Sequence, residues 1–235
     1  MILGGLQKTS LIDYPGRVAC VVFTQGCNFC CPYCHNPSLV VSSDRAKKGA
    51  VQEDEILEFL ERRKGLLDGV VISGGEPTLH PDLIDFCRRI KKLGYLVKLD
   101  TNGSRPEMLR ALIREDGVDY VAMDIKTLPQ RYGRYIQKGF DPQSLLASIG
   151  HIMEAGKPYE FRTTCLSPLV DADVVEGIGR IIQDARLYVL QPFVPGEILC
   201  PDFVGQGNKQ VYRKSDLDRF AAVAGKWVRK CDVRI

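Results

Sequence analysis

The chain has 235 residues, 45% of them hydrophobic and 26% charged, with a formal net charge of +3. It is long enough for one large domain or two small ones, and it lacks the basic block or aromatic-rich basic stripe that would point to nucleic acid. No N-terminal segment pairs a basic region with an apolar one, and no apolar run approaches the roughly 18 residues of a membrane span, so a cytoplasmic protein using neither membrane nor nucleic acid is expected. In that compartment nine cysteines, an odd count, are expected as metal ligands, reactive groups or core residues rather than as a disulfide framework.

Along the chain, apolar β-rich runs alternate with helical patterns. A first strand over Val18–Thr24 leads into "TQGCNFCCPYCHNP", which packs Cys27, Cys30, Cys31 and Cys34 into eight residues. A helix is expected over Glu53–Lys64, with Ile56, Leu57 and Leu60 on one face. A strand over Gly69–Ser73 then runs into "SGGEP". Pro81–Leu93 reads as a helix that starts on a proline and stops before Gly94.

The next strand, Tyr95–Asp100, ends in "LDTNG", and Ser104 with Glu107 fits a capping box for a helix to about Arg114. Tyr120–Ile125 is a strand ending in "AMDIK", and Asp141-Pro142 opens a helix that ends before Gly156. Strands over Tyr159–Thr164, carrying Arg162, and Leu187–Gln191 alternate with helices over Asp173–Ala185 and Ser215–Lys230. Six strand-helix units without a linker or composition shift favour one α/β domain over residues 1–235, a partial (β/α)6 TIM-like barrel. Chemistry is then expected at the C-terminal strand ends.

The thiols of the first strand-end loop admit two readings. As two C-x2-C pairs they would make a zinc site, but such pairs are normally separated by a substantial loop and here they abut. The subset Cys27, Cys31, Cys34 is C-x3-C-x2-C, which gives three thiolates to a cluster and leaves one metal position open. The adjacent side chains of Cys30 and Cys31 are expected to diverge. In "SGGEP" two glycines permit close approach of the backbone to a ligand, with an acidic residue following; alone it is also an ordinary turn.

Taken together, the C-x3-C-x2-C loop with Tyr33 before its last cysteine, and Gly-Gly-Glu-Pro after the next strand, resemble the radical S-adenosylmethionine (radical SAM) superfamily. The resemblance implies a [4Fe-4S] cluster on Cys27, Cys31 and Cys34. It also implies that the amino and carboxylate groups of S-adenosylmethionine chelate the open iron, and that reductive cleavage of the sulfonium yields a 5'-deoxyadenosyl radical. Tyr33, Gly74, Gly75 and Glu76 would contact that cofactor. Asp100, Asp124 and Lys126 look like the Asp and Asp-x-Lys positions of glycyl-radical-enzyme activases, where such groups contribute to a monovalent cation site and to cofactor carboxylate contacts. Arg162 is placed to meet a carboxylate with its forked donors.

The N-terminal run "GLQKTSLIDYPGRVACVVFTQGCNFCCPYCHNP" is similar to the activating proteins of anaerobic ribonucleoside-triphosphate reductase. That likeness implies hydrogen abstraction from a glycine of an anaerobic ribonucleotide reductase, and a flavodoxin- or ferredoxin-type reductant. Cys30 departs from the family loop. The alternative is a radical SAM enzyme on a small molecule, similar to 7-carboxy-7-deazaguanine synthase. An iron-sulfur electron carrier or a zinc-stabilised interaction protein would need four ligands and no Gly-Gly-Glu-Pro. Cys20, Cys87, Cys165, Cys200 and Cys231 are expected as small buried hydrophobes, with no auxiliary cluster. His35, His80 and His151 receive no catalytic role.

Overall fold

A computed structural model describes residues 1–40, 51–205 and 211–235. It is an α/β fold whose eight strands follow chain order, β1 to β8, and it forms two compact units, each discontinuous in sequence. Among the described residues no helix is long and apolar enough to cross a membrane.

The first unit comprises Met1–Asn28, Ser38–Thr101 and Arg105–Val121. Here β1 (Leu3–Ser10) pairs antiparallel with β2 (Ala19–Thr24), which runs parallel to β3 (Gly69–Gly74), itself parallel to β4 (Leu96–Thr101). Both faces of β2 and β3 are covered, which is why Val21, Val22, Val70, Val71 and Ile72 form unbroken apolar runs rather than alternating ones. Helix α1 (Glu53–Arg62) buries Ile56, Phe59 and Leu60. Helix α2 (Leu83–Lys92) buries Leu83, Phe86, Cys87 and Ile90, and Gly94 at φ +92° ends it in the left-handed region that glycine enters without strain.

The second unit comprises Phe29–Pro37, Asn102–Ser104 and Ala122–Ile235. Strands β6 (Tyr159–Cys165), β7 (Tyr188–Pro192) and β8 (Cys231–Val233) are parallel neighbours. Helix α4 (Pro142–Glu154) starts on the Asp141 cap, whose carboxylate accepts the Gln143 amide at 3.0 Å. Helix α5 (Ala172–Ile181) starts on Asp171, which accepts the Val174 amide at 2.8 Å. The unit ends with α6 (Lys214–Ala224) and β8. Helix α3 (Pro106–Arg114) belongs to the first unit, and strand β5 (Tyr120–Asp124) follows it in the chain.

Several expected bounds shift for physical reasons. Ser104 and Glu107 form no capping box: Pro106 occupies the first turn of α3, so the cap falls on Arg105 and Ser104 lies outside the helix. Pro81 precedes α2 rather than opening it, because the cap is Asp82. The last helix stops at Ala224 against Gly225, and residues expected to continue it turn instead toward β8. Strands β1 and β8 answer to no expected element. Cys200 is exposed and Cys231 half-buried, unlike the buried Cys20, Cys87 and Cys165.

Candidate functional site

In the first unit, the parallel register of β2 and β3 continues past the strand ends into the two motifs. Thr24 faces Gly74 in register. The Gly75 amide donates to the Thr24 carbonyl at 2.9 Å and the Glu76 amide to the Gly26 carbonyl at 2.8 Å, while the Gly26 amide donates to Leu39 at 2.8 Å. Gly-Gly-Glu-Pro is thereby laced to the start of the thiol loop. A Cβ at Gly75 would stand 1.9 Å from the Gly26 oxygen, and one at Gly74, whose φ is +118°, 2.3 Å from the Thr24 nitrogen. The close approach that these glycines serve in this structure is that of chain to chain.

Glu76 is fully buried. Its Oε1 accepts from the Thr78 amide at 3.1 Å, from the Thr78 hydroxyl, and from Thr101 Oγ1 at 2.7 Å. The carboxylate therefore caps the 3-10 turn Pro77–Leu79 and ties the ends of β3 and β4 together. At the end of β4, Asp100 is paired with Lys98.

The second unit holds the rest of the loop. Cys31 is buried, Cys34 half-buried and Cys30 exposed, while Cys27 of the first unit is half-buried; none of the four is in a disulfide. The Cys34 amide closes a turn onto the Cys31 carbonyl at 3.0 Å, and the Cys30 amide donates to Ile136 at 3.0 Å. Beneath the loop, Phe29 packs edge-on against Tyr132 and Phe140 at 5.7 and 5.2 Å. Its exit is clamped by the segment after β7. His35 stacks on Phe193 at 5.2 Å and its Nε2 lies 2.7 Å from the Val194 carbonyl oxygen, while Leu199 and Cys200 amides donate to Cys34 and Pro32 carbonyls at 3.0 and 2.9 Å. The spacing of the cysteines carries no signal for these anchors, although Phe29 lies within the motif itself.

Asp124, Lys126 and Arg162 come together. Asp124 Oδ1 accepts Arg162 Nε at 2.7 Å and Oδ2 accepts Lys126 Nζ at 2.8 Å. The buried Glu160 takes Arg234 at 2.7 and 3.1 Å and lies 3.9 Å from Arg162. The cations of Lys126, Arg162 and Arg234 thus gather at the carboxylates of Asp124 and Glu160, a setting suited to a carboxylate-bearing ligand. Burial alone would push the Asp124 carboxyl up; the charges of Arg162 and Lys126 more than offset it and hold the group well below the usual carboxylate range. Tyr33 is buried and its hydroxyl finds no hydrogen-bond partner among the described residues. Burial raises that hydroxyl well above its usual value against the opposing charge of Lys126.

A stability consequence follows from Asp124. Because its pKa is depressed in the folded protein, the stabilisation is complete above the unfolded carboxylate value of about 3.9 and is lost as pH falls through the depressed folded value. Arg162→Met is expected to cost about 2 kcal/mol at neutral pH. In urea unfolding series taken down to about pH 3, its deficit against the wild type should narrow below about pH 3.9. A deficit independent of pH would show that Arg162 stabilises by packing alone.

Comparison with known proteins bears on what this arrangement serves. The family model of the radical SAM superfamily matches residues 21–180. The chain belongs to the radical SAM superfamily. Over 240 residues it is 32% identical to the Methanocaldococcus jannaschii protein MJ1227, named for glycyl-radical enzyme activation, covering 99% of this chain and 95% of that one. It is 34% identical over 199 residues to the pyruvate formate-lyase-activating enzyme of Clostridium pasteurianum, covering 79% of each. Among solved structures, QueE from Escherichia coli superposes with a TM-score of 0.62 over 99% of this chain and 93% of that one, at 17% identity. That likeness shows the shared partial-barrel fold.

Radical SAM proteins use a [4Fe-4S] cluster and S-adenosylmethionine, and the residues present fit both. Three thiols share one loop, and the Tyr33 hydroxyl, which no hydrogen bond among the described residues satisfies, and the Lys126 and Arg162 cations beside Asp124 are polar features that a carboxylate-bearing ligand would meet. Among the described residues no three His, Cys, Asp or Glu side chains are grouped closely enough to hold a single ion, so the fit to the larger cluster rests on the C-x3-C-x2-C spacing of the loop.

Proposed function

We propose that this radical SAM protein is an activase that generates a glycyl radical on anaerobic ribonucleoside-triphosphate reductase. The observation that carries the activase reading is the match to MJ1227 over nearly the full length of both chains; the lead-in Ser10-Leu11-Ile12-Asp13-Tyr14-Pro15-Gly16 supports the reductase branch.

In this reading Cys27, Cys31 and Cys34 hold the cluster, and Cys30, which is exposed where Cys31 is buried, does not. Tyr33, Gly74, Gly75, Glu76, Asp100, Asp124, Lys126 and Arg162 form the cofactor site. When bound, cluster and cofactor would supply radical chemistry capable of abstracting a hydrogen atom from a glycine Cα. The chain's own residues bind and orient. Lys126 and Arg162 present fixed cations to a carboxylate, and Gly75 and Glu76 amides hold the loop against β3. The Phe29, Tyr132 and Phe140 cluster keeps that loop in place.

The reading is tested by anaerobic reconstitution and chromatographic measurement of 5'-deoxyadenosine. Slow formation by the reduced protein alone and faster formation with the reductase are expected. Indifference to the reductase, with efficient turnover of a pterin-like small molecule, would place the protein in a small-molecule branch.

A further inference from the structure

The backbone leaves the sheet at Lys126, where a phenol rather than a strand takes its amide. The preceding residue still pairs with β6: the Ile125 amide donates to the Arg162 carbonyl at 2.8 Å, and the Ile125 carbonyl accepts the Thr163 hydroxyl at 2.7 Å. One residue on, the Lys126 amide donates to the Tyr132 hydroxyl oxygen at 2.8 Å. The chain turns back between the two through the 3-10 turn Pro129–Arg131. An amide that has left the ladder still requires an acceptor, and the fully buried Tyr132 supplies it.

The rest of Tyr132 is committed to the thiol loop. Its ring meets Phe29 edge-on with centroids 5.7 Å apart and stacks on Phe140 at 5.2 Å. Its carbonyl accepts the Ile136 and Gln137 amides at 2.8 and 3.0 Å, and the Ile136 carbonyl accepts the Cys30 amide at 3.0 Å. One residue therefore joins the loop of Cys30, Cys31 and Cys34 to the residue whose ammonium group lies 2.8 Å from Asp124 Oδ2. Asp124 holds the head of the Lys126 side chain and Tyr132 holds its root. A lysine ordered in advance meets a ligand without the entropy loss of being ordered on binding.

We propose that Tyr132 is a positioning residue, whose hydroxyl fixes Lys126 relative to the thiol loop and thereby sets how tightly the site holds a carboxylate-bearing ligand. This rests on the reading of Lys126 as part of the cofactor site. The tie between Tyr132 and Lys126 itself rests on the hydrogen bond and on the burial of the phenol.

The experiment compares wild type, Tyr132→Phe, Lys126→Met and the double variant Tyr132→Phe/Lys126→Met. Phenylalanine retains the ring against Phe29 and Phe140 and removes only the acceptor. Amide hydrogen exchange of the unreconstituted proteins is the first readout: Tyr132→Phe should speed exchange at Lys126 about tenfold and leave Ile125 unchanged. Anaerobic calorimetry with S-adenosylmethionine is the second. Tyr132→Phe should reconstitute with full iron and acid-labile sulfide yet bind the cofactor about tenfold more weakly. In the Lys126→Met background the same substitution should change affinity by less than about twofold, because the residue it acts through is gone.

Unchanged exchange at Lys126 in Tyr132→Phe would overturn the proposal, as would unchanged affinity or an equal loss of affinity in both backgrounds. Where Lys126→Met binds too weakly to measure, wild type and Tyr132→Phe decide: a weaker affinity with a full cluster and exchange altered at Lys126 alone supports the proposal, and equal affinity overturns it. If cofactor binds to none of the proteins, the cofactor-site reading fails, and exchange at Lys126 alone judges the hold of Tyr132.

Discussion

Replacing Cys27, Cys31 or Cys34 by Ala is expected to abolish the cluster, read as loss of iron and acid-labile sulfide after anaerobic reconstitution, while Cys30→Ala keeps it. The spacing leaves the choice between the adjacent Cys30 and Cys31 open to any test of which thiol faces inward. In the structure they differ in burial: Cys31 is 8% exposed and Cys30 is exposed. The Cys30 amide is committed to Ile136 and the Cys31 carbonyl to the Cys34 turn, so exchanging the two thiols would require rebuilding the loop backbone. A Cys30→Ala protein without its cluster, alongside a Cys31→Ala protein that retains it, would contradict the assignment.

Gly75→Ala is expected to be the most damaging single methyl in the first unit. The added carbon would stand 1.9 Å from the Gly26 oxygen and 2.5 Å from the Gly26 carbon, both backbone atoms. No rotamer change can relieve that contact, so the loop preceding Cys27 has to move. A loss of about 3 kcal/mol in denaturant unfolding is expected, together with a lower cluster yield. Gly133→Ala, at a position with open space around the new carbon, serves as the control. A stable Gly75→Ala protein with a full cluster but weakened cofactor binding would instead make the glycine a ligand-approach position.

What is legible in the sequence is set by how each segment is buried. The strand Gly69–Gly74 sits deep in the fold, and its dense apolar run is readable within a residue. Strand β1 is not, because its Gly4, Gly5, Gln7, Lys8 and Thr9 give an edge strand with neither alternation nor an apolar run. Strand β8 has only three residues, too few for any pattern.

The same holds at the site. Thiol spacing and Gly-Gly-Glu-Pro are local in sequence and can be read directly. That Gly75 is required by Gly26, that Phe193 stacks on His35, and that Lys98 points into an apolar row depend on register between distant segments. A lysine two residues before an aspartate reads as a solvated pair until its strand neighbours are known. Glu76 reads as a ligand-facing acid by its motif, and only the contacts with Thr78 and Thr101 reveal its work as a cap.

The central claim is that this protein makes a glycyl radical on anaerobic ribonucleotide reductase, and electron paramagnetic resonance tests it most directly. The reconstituted, reduced protein is incubated with S-adenosylmethionine and the reductase, and the spectrum is recorded with unlabelled reductase and with reductase carrying glycine deuterated at Cα. The account predicts a doublet on the reductase that collapses on deuteration, because the splitting comes from the remaining Cα hydrogen. A reductase that acquires no radical while the cofactor is cleaved, or a signal unchanged by deuteration, would contradict it.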